Sequence, residues 1–197
     1  YGASGQSNTG NTAVGKDALY AITDGGNNVS VGVDSGTALT TGDQNVFVGT
    51  GAGYATTDVD KTVIIGTDAG LAVMTAAADG TVAVGFEALN GLTSGANNLA
   101  IGYLAGKTLT TGPENIAIGR QALETHLTGE SNIAIGYLAM GDTDAGTNSN
   151  DSDHNICIGL QSGGGTWANA KSEQNVAIGN YTLDAALNGA NANVCVG

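Results

Sequence analysis

A five-residue unit repeats through the chain and constrains its fold more than any other feature. Its clearest copies, 115–119 and 132–136, both read Asn-Ile-Ala-Ile-Gly. Eleven copies occur, and their closing glycines are separated by 17, 17, 17, 19, 17, 17, 17, 23, 20 and 18 residues. A nearly constant period of this kind indicates a solenoid in which each repeat forms one coil. The closing glycines are Gly15, Gly32, Gly49, Gly66, Gly85, Gly102, Gly119, Gly136, Gly159, Gly179 and Gly197.

Within each unit, aliphatic residues alternate with a more variable residue. Ile116 and Ile118 flank Ala117, and Ile133 and Ile135 occupy the same places in the next coil. A period of two predicts a β-strand whose successive side chains point to opposite faces. We expect the aliphatic residues to face the core and the residue between them to face outward. The closing glycines are expected where the backbone turns with a positive φ.

The first residue of the unit is also nearly constant. Nine of the eleven units begin with Asn, and Thr62 and Thr81 are the exceptions. Asparagine at a repeated turn predicts either bonding to its own backbone or a stacked ladder of side-chain amides. Together these patterns predict an all-β fold, a parallel β-solenoid of about eleven 17-residue coils.

The regularity of the repeat defines the expected domain organisation. Residues 1–197 are expected to form a single elongated segment of a longer protein, with a ragged first coil at 1–10. Coils within 137–175 are lengthened by insertions at 141–154 and 162–174. Insertions in a solenoid leave the coil as surface loops and often mark its binding face.

Charge and hydropathy exclude two classes of partner. Five Lys and Arg residues stand against eighteen Asp and Glu, which gives a formal charge of −13. Nucleic acid is therefore not an expected partner, because phosphate binding needs a basic surface. No apolar stretch approaches the roughly 18 residues of a membrane span, so this segment is not expected to insert in a membrane.

The repeat resembles that of two groups of attachment proteins. The pattern Asn-x-Ala-Ile-Gly followed by x-x-Ala-Leu, as in 115–123, is similar to head repeats of trimeric autotransporter adhesins. It resembles more closely the longer repeats of phage tail fibres and bacterial tail-fibre-domain proteins. This resemblance implies a β-roll or a left-handed β-helix, with three chains around one axis as a homotrimer. It also implies attachment to a glycan or protein on a host-cell surface. The expected location is a virion tail fibre, or alternatively the extracellular surface of a bacterium.

These features define three expectations for function. The first is a structural and adhesive segment, the shaft or head of a phage tail fibre or a similar appendage. The second is the head of a bacterial trimeric surface adhesin, which flanking stalk and anchor sequences would reveal. The third is a polysaccharide depolymerase.

The insertion at 141–154 is a candidate cation site. It contains four aspartates, whose carboxylates are the ligands that Ca²⁺ prefers. The alternative is a solvated acidic loop, since the glutamate that would close a calcium loop is missing. No other cofactor is expected. The four aspartates are Asp142, Asp144, Asp151 and Asp153.

The only tryptophan, Trp167, is a candidate ligand-binding residue. It lies in the second insertion, just after the glycines at 163–165. An exposed indole ring offers a flat apolar surface on which a sugar stacks. The alternative is that Trp167 covers the coil beneath its own loop.

Catalytic motifs are absent from the sequence. There are two histidines, His126 and His154, and no nucleophile elbow, zinc-protease, P-loop or Cys-x-x-Cys motif. Cys157 and Cys195 occupy the position that Ala fills in other units, which favours small core residues over nucleophiles. We therefore favour a protein that is not an enzyme over the depolymerase alternative.

Overall fold

The computed structural model describes residues 8–142, 151–165, 167, 170–185 and 189–197. It is an all-β parallel solenoid with one three-residue strand in each coil. A 3₁₀ turn at Ala76–Ala78 falls in the 19-residue coil. The strands are β1 Thr12–Val14, β2 Val29–Val31, β3 Val46–Val48, β4 Val63–Ile65, β5 Val82–Val84, β6 Leu99–Ile101, β7 Ile116–Ile118, β8 Ile133–Ile135, β9 Ile156–Ile158, β10 Val176–Ile178 and β11 Val194–Val196.

Consecutive strands form a single parallel sheet in strict register. The order is β1 to β11 without interruption, so equivalent residues of every coil are neighbours, as Ala117 and Ala134 are. Hydrogen bonds between coils continue outside the strands. Thr110 donates its N–H to the carbonyl of Leu127 at 2.8 Å, for example. The 17-residue period therefore aligns most of each coil, and not only its strand.

The middle residue of the strands points to the interior. The sequence analysis expected the opposite, with the two aliphatic residues pointing inward. Phe47, Ala100 and Ala117 are buried, whereas Ile65 and Ile101 on either side of such residues are 37% and 40% exposed. The prediction that the aliphatic pair lines the core is therefore wrong for the single chain. The prediction of a solenoid is nevertheless confirmed, because either set of alternating side chains can form a core. We call the middle residue the inner residue and its two neighbours the outer residues.

The narrow interior explains why most inner residues are small. Where one is large, glycines in adjacent positions make room for it. A Cβ added to Gly36 would lie 2.7 Å from Cδ2 of Phe47, and one added to Gly53 would lie 3.0 Å from the same ring. Gly70 makes room for Ile64 in the same way, because a Cβ added to Gly70 would lie 2.7 Å from Cδ1 of Ile64. The alternation of Leu and Gly four residues after the closing glycine therefore reflects complementary packing.

The closing glycines stack directly on one another. Gly119 has a φ of +131°, and a Cβ there would lie 2.5 Å from the carbonyl oxygen of Gly136 in the next coil. A side chain is excluded both by the backbone conformation and by this close approach. The same positive φ is found at Gly32, Gly49, Gly102 and Gly136.

The asparagines form a buried ladder along the interior. Asn115 accepts the N–H of Asn132 at 2.9 Å through Oδ1 and donates from Nδ2 to the carbonyl of Gly129 at 2.9 Å. Each such residue therefore fastens its coil to the next one. Thr62 and Thr81 have no amide to make this pair of bonds, and the ladder is interrupted at their coils.

Candidate interaction surfaces

The outer residues form a continuous apolar strip along one side of the rod. Each coil contributes two Val, Ile or Leu side chains, except that Thr12 begins β1. The strip is half-buried to exposed throughout the central coils, as Val31, Ile65 and Ile101 illustrate. Soluble monomers seldom expose long contiguous apolar strips. This strip is therefore the leading candidate for an interaction surface.

An aromatic column borders the strip in four consecutive coils. Its members, Phe86, Tyr103, Arg120 and Tyr137, each follow a closing glycine directly. The rings of Phe86 and Tyr103 stack with centroids 5.3 Å apart. The Arg120 guanidinium lies 5.7 Å from the Tyr103 centroid and 5.4 Å from that of Tyr137. The sequence analysis missed this column. An alignment of the residues that directly follow these four closing glycines would have revealed it.

We call the apolar strip and the aromatic column together the outer face. Arg120 is the only arginine of the chain, and no described residue accepts a hydrogen bond from its guanidinium. Cation–π contacts with two tyrosines hold it at the surface in a defined position. The outer face thus combines apolar area with one ordered positive charge.

Carboxylates that precede the strands in the sequence bond the coils together. Asp60 accepts the N–H of Asp43 at 2.7 Å, and Asp79 accepts the N–H of Asp60 at 2.8 Å. These acids occupy equivalent positions in successive coils, two residues before the first residue of the unit. They are structural acceptors as well as sources of negative surface charge.

The candidate cation site is only partly within the described residues. Asp144 lies outside them, so the four-aspartate site remains a prediction. The Asp153 carboxylate already has two partners, because it accepts the N–H of Glu130 at 2.8 Å and the Nζ of Lys171 at 2.5 Å. Asp151 accepts a hydrogen bond from the hydroxyl of Thr128.

A different set of potential ligands meets at Asp153. Single ligand atoms of Glu130, Asp153 and His154 lie within 4.8 Å of one another. The Lys171 ammonium, which bonds Asp153 and also lies 3.0 Å from Glu173, supplies positive charge to this cluster. The hydrogen bonds that the ammonium donates to Asp153 and then to Glu173 raise the pKa of Lys171, so it remains charged.

Trp167 does not present its ring to a ligand. The side chain is completely buried, and its indole N–H donates to the carbonyl of Gly163 at 3.1 Å. The prediction of a sugar-stacking platform is therefore wrong. Trp167 belongs to the hydrophobic core, which agrees with the alternative interpretation.

Burial accounts for the state of two reactive side chains. Burial raises the pKa of the Cys157 thiol to about 12, so that it remains protonated at neutral pH. Burial likewise lowers the pKa of His126 to about 4, so that its imidazole is neutral. The Nε2 atom of His126 lies 3.3 Å from Nδ2 of Asn132. Both residues are interior components of the solenoid.

A surface cavity of about 350 Å³ lies against the first three coils. Asp17, Asp34, Tyr20, Tyr54 and Thr37 line it. The tyrosines and Thr37 each lie five residues after a closing glycine, and the aspartates lie two residues after one. Two parallel columns of the solenoid therefore form its walls.

Comparisons with known proteins add no assignment. No protein-family model, curated protein or solved structure matches the chain. Within the described part of the chain, no helix has the length and apolarity that crossing a lipid bilayer requires.

Proposed function

We propose that the chain is a rigid segment of a fibre that attaches to a host-cell surface, and that three copies associate through their outer faces. The observation that carries this proposal is the apolar strip that runs along successive coils. The resemblance to tail-fibre repeats supplies the number three and the attachment role. The strip supplies the physical reason for association.

The size of the outer face supports association. Five residues of extended chain across eleven coils make a surface about 16 Å wide and about 48 Å long, or about 800 Å². A stable protein interface buries about 800 Å² on each partner. One outer face is therefore large enough to form a stable interface, provided that most of it is covered.

The repeat of the outer face favours another copy of this chain as the occupant. Its side chains recur along the axis with the rise of a parallel sheet, about 4.8 Å per coil. A second copy has the same rise and matches the surface along its whole length. A partner with another periodicity would match it at only a few points.

The mass of the chain in solution tests the association. Sedimentation equilibrium or light scattering should give three times the mass of the 19.3 kDa chain. The double variant Ile101→Lys and Ile118→Lys should be monomeric, because it places two charges in the middle of the apolar strip. Its far-ultraviolet circular dichroism should stay unchanged, since both residues point away from the core.

Val73→Lys is the matched control for this experiment. Val73 is 53% exposed but lies outside the strands, so its replacement should leave the mass unchanged. A wild-type chain that stays monomeric at about 100 µM would contradict the proposal. A double variant that stays trimeric would show that another surface holds the copies together.

Binding to cells tests the attachment role. Three copies of a weak site on one rod should bind a surface more tightly than one copy does, by about 10²-fold or more. We expect the fluorescently labelled wild-type protein to bind bacterial cells of a susceptible strain and the monomeric double variant to dissociate rapidly. Equal binding of both proteins would contradict multivalent attachment.

A further inference from the structure

The cavity on the first three coils has the shape and chemistry of a site for a single ring. Tyr20, Thr37 and Tyr54 occupy equivalent positions in consecutive coils, so the two tyrosines are separated by one small residue. Both tyrosines are exposed, at 77% and 45%. We call the space between them, above Thr37, the tyrosine slot.

The width of the slot follows from the repeat. Positions two coils apart are separated by about 9.6 Å, twice the spacing of parallel strands. Two van der Waals contacts, one on each side of an inserted ring, need about 7–8 Å. The spacing is therefore wide enough for one saturated ring between the tyrosines and too narrow for two, which would need three such contacts.

The polar groups of the slot are predominantly acceptors. Asp34 and Asp17 contribute carboxylates, and the Asp17 carboxylate also lies 2.9 Å from Nζ of Lys16. Thr37 donates its hydroxyl to the backbone carbonyl of Asp17 at 3.0 Å, which leaves the hydroxyl oxygen as an acceptor. No described residue hydrogen-bonds the Asp34 carboxylate or either phenol hydroxyl.

These features select one class of ligand. Carboxylate acceptors match a ligand rich in hydroxyl donors, and the tyrosines supply apolar area for the C–H groups of a ring. Two carboxylates and a strongly acidic protein disfavour an anionic ligand. A neutral sugar ring has the required shape, hydroxyl groups and charge.

We propose that the tyrosine slot binds one neutral hexose or N-acetylhexosamine residue of a glycan. The inference deepens the attachment role and rests on that proposed function for its biological meaning. Asp34 accepts hydrogen bonds from adjacent sugar hydroxyls, and Tyr20 and Tyr54 contact the two sides of the ring. Asp17 and Thr37 form the base of the site.

Saturation-transfer NMR and titration with single sugars test the slot. The probes are glucose, galactose, mannose, N-acetylglucosamine and N-acetylgalactosamine. At least one should bind with a dissociation constant of about 1 mM, the affinity expected from a few contacts. Tyr20→Ala, Tyr54→Ala and Asp34→Asn should each weaken that binding at least tenfold.

Tyr181→Ala is the matched control. Tyr181 is 53% exposed and lies outside the slot, so this variant should bind as the wild type does. Binding that survives the Tyr20 and Tyr54 substitutions would overturn the proposal, and so would failure of all five sugars to bind. Circular dichroism of each variant shows whether the fold is retained.

Two further ligands distinguish sugar binding from simple charge attraction. Tetramethylammonium would enter a site that selects cations through tyrosine rings and carboxylates. If it binds and the five sugars do not, the slot is a cation site and the proposal is wrong. Glucuronate should bind more weakly than glucose because the slot is acidic.

The monomeric Ile101→Lys and Ile118→Lys variant separates this inference from the proposed function. It should bind the single sugar with wild-type affinity, because the slot is contained within one chain. Sugar binding by a wild-type protein that does not form trimers would support the proposed sugar site and contradict the proposed association. Trimers without sugar binding would retain the association and reject the slot.

Discussion

The inner and outer residues of the same strands follow opposite packing rules. The inner positions contain mostly Ala, with Ser30, Phe47, Ile64 and Cys157 among the exceptions, and they are buried in β2 to β10. The outer positions contain mainly Val and Ile and remain half-buried or exposed. In this chain the bulkier apolar residues lie outside because the interior of a 17-residue coil is narrow. The contrast teaches that side-chain volume, as well as hydropathy, assigns the two faces of a solenoid strand.

The largest expected effect comes from emptying the widest inner position. Phe47→Ala should lower the free energy of unfolding by about 3–5 kcal/mol, because Gly36 and Gly53 leave a cavity that their backbones cannot fill. Urea denaturation measures the change. Phe86→Ala is the matched control when both variants are made in the monomeric Ile101→Lys and Ile118→Lys background, since Phe86 is 40% exposed in the single chain and its loss should cost less than about 1 kcal/mol. Equal losses of unfolding free energy in the two variants would contradict the assignment of Phe47 to the core and Phe86 to the surface.

An intermediate effect is expected from acid at the buried histidine. His126 has a pKa of about 4 in the fold and 6.5 as its ordinary value, so the unfolded chain binds a proton first as the pH falls. Protonation of His126 in the unfolded chain therefore leaves the free energy of unfolding unchanged above pH 6.5. It lowers that free energy as the pH falls from 6.5 to 4, by about 3 kcal/mol in total.

Replacing the histidine by leucine isolates this effect. Leu39, Leu92 and Leu109 occupy the equivalent position in other coils, so His126→Leu suits the interior. Urea denaturation at pH 7.5 and pH 4.5 should show a smaller loss for the variant than for the wild type, by about 2–3 kcal/mol. Identical pH dependence in both proteins would mean that His126 does not contribute to acid sensitivity.

The smallest expected effect comes from one isosteric substitution made in two places. Val59→Thr buries a hydroxyl in the core and should cost about 1–3 kcal/mol. Val31→Thr changes an outer residue that is 37% exposed and should cost about 0.5 kcal/mol or less. Both are measured by urea denaturation in the monomeric Ile101→Lys and Ile118→Lys background. A larger cost at Val31 would reverse the assignment of the two faces.

Sequence periodicity was sufficient to predict the repeating strands and their parallel order, and it left the amide ladder as one of two roles for Asn115 and its equivalents. Each depends on the chain returning to the same place after 17 residues. Periodicity alone does not say which side of a strand faces inward. That choice depends on interior volume, which the pairing of Phe47 with Gly36 and Gly53 encodes across separate coils.

The candidate sites were harder to predict because they depend on loops and on neighbouring coils. Trp167 has the flat ring of a sugar-binding residue, but it is buried in the core, and the sequence of its own repeat does not show that burial. The tyrosine slot joins residues from three coils at two different offsets. Tyr20 and Tyr54 become neighbours across Thr37 only when the coils are stacked.

The interruption of the asparagine ladder has a mechanical consequence. Coils stacked along one axis carry a pulling force in series, so the strength of a single chain is set by its weakest junction. Between the coil of Thr62 and that of Asn98 the paired amide bonds of the ladder are missing, although Asn90 Nδ2 still donates to the carbonyl of Asp68 at 3.1 Å and the Thr81 hydroxyl to that of Gly95 at 3.4 Å. Tension along a single rod is therefore expected to open these two junctions before those that the paired amide bonds span.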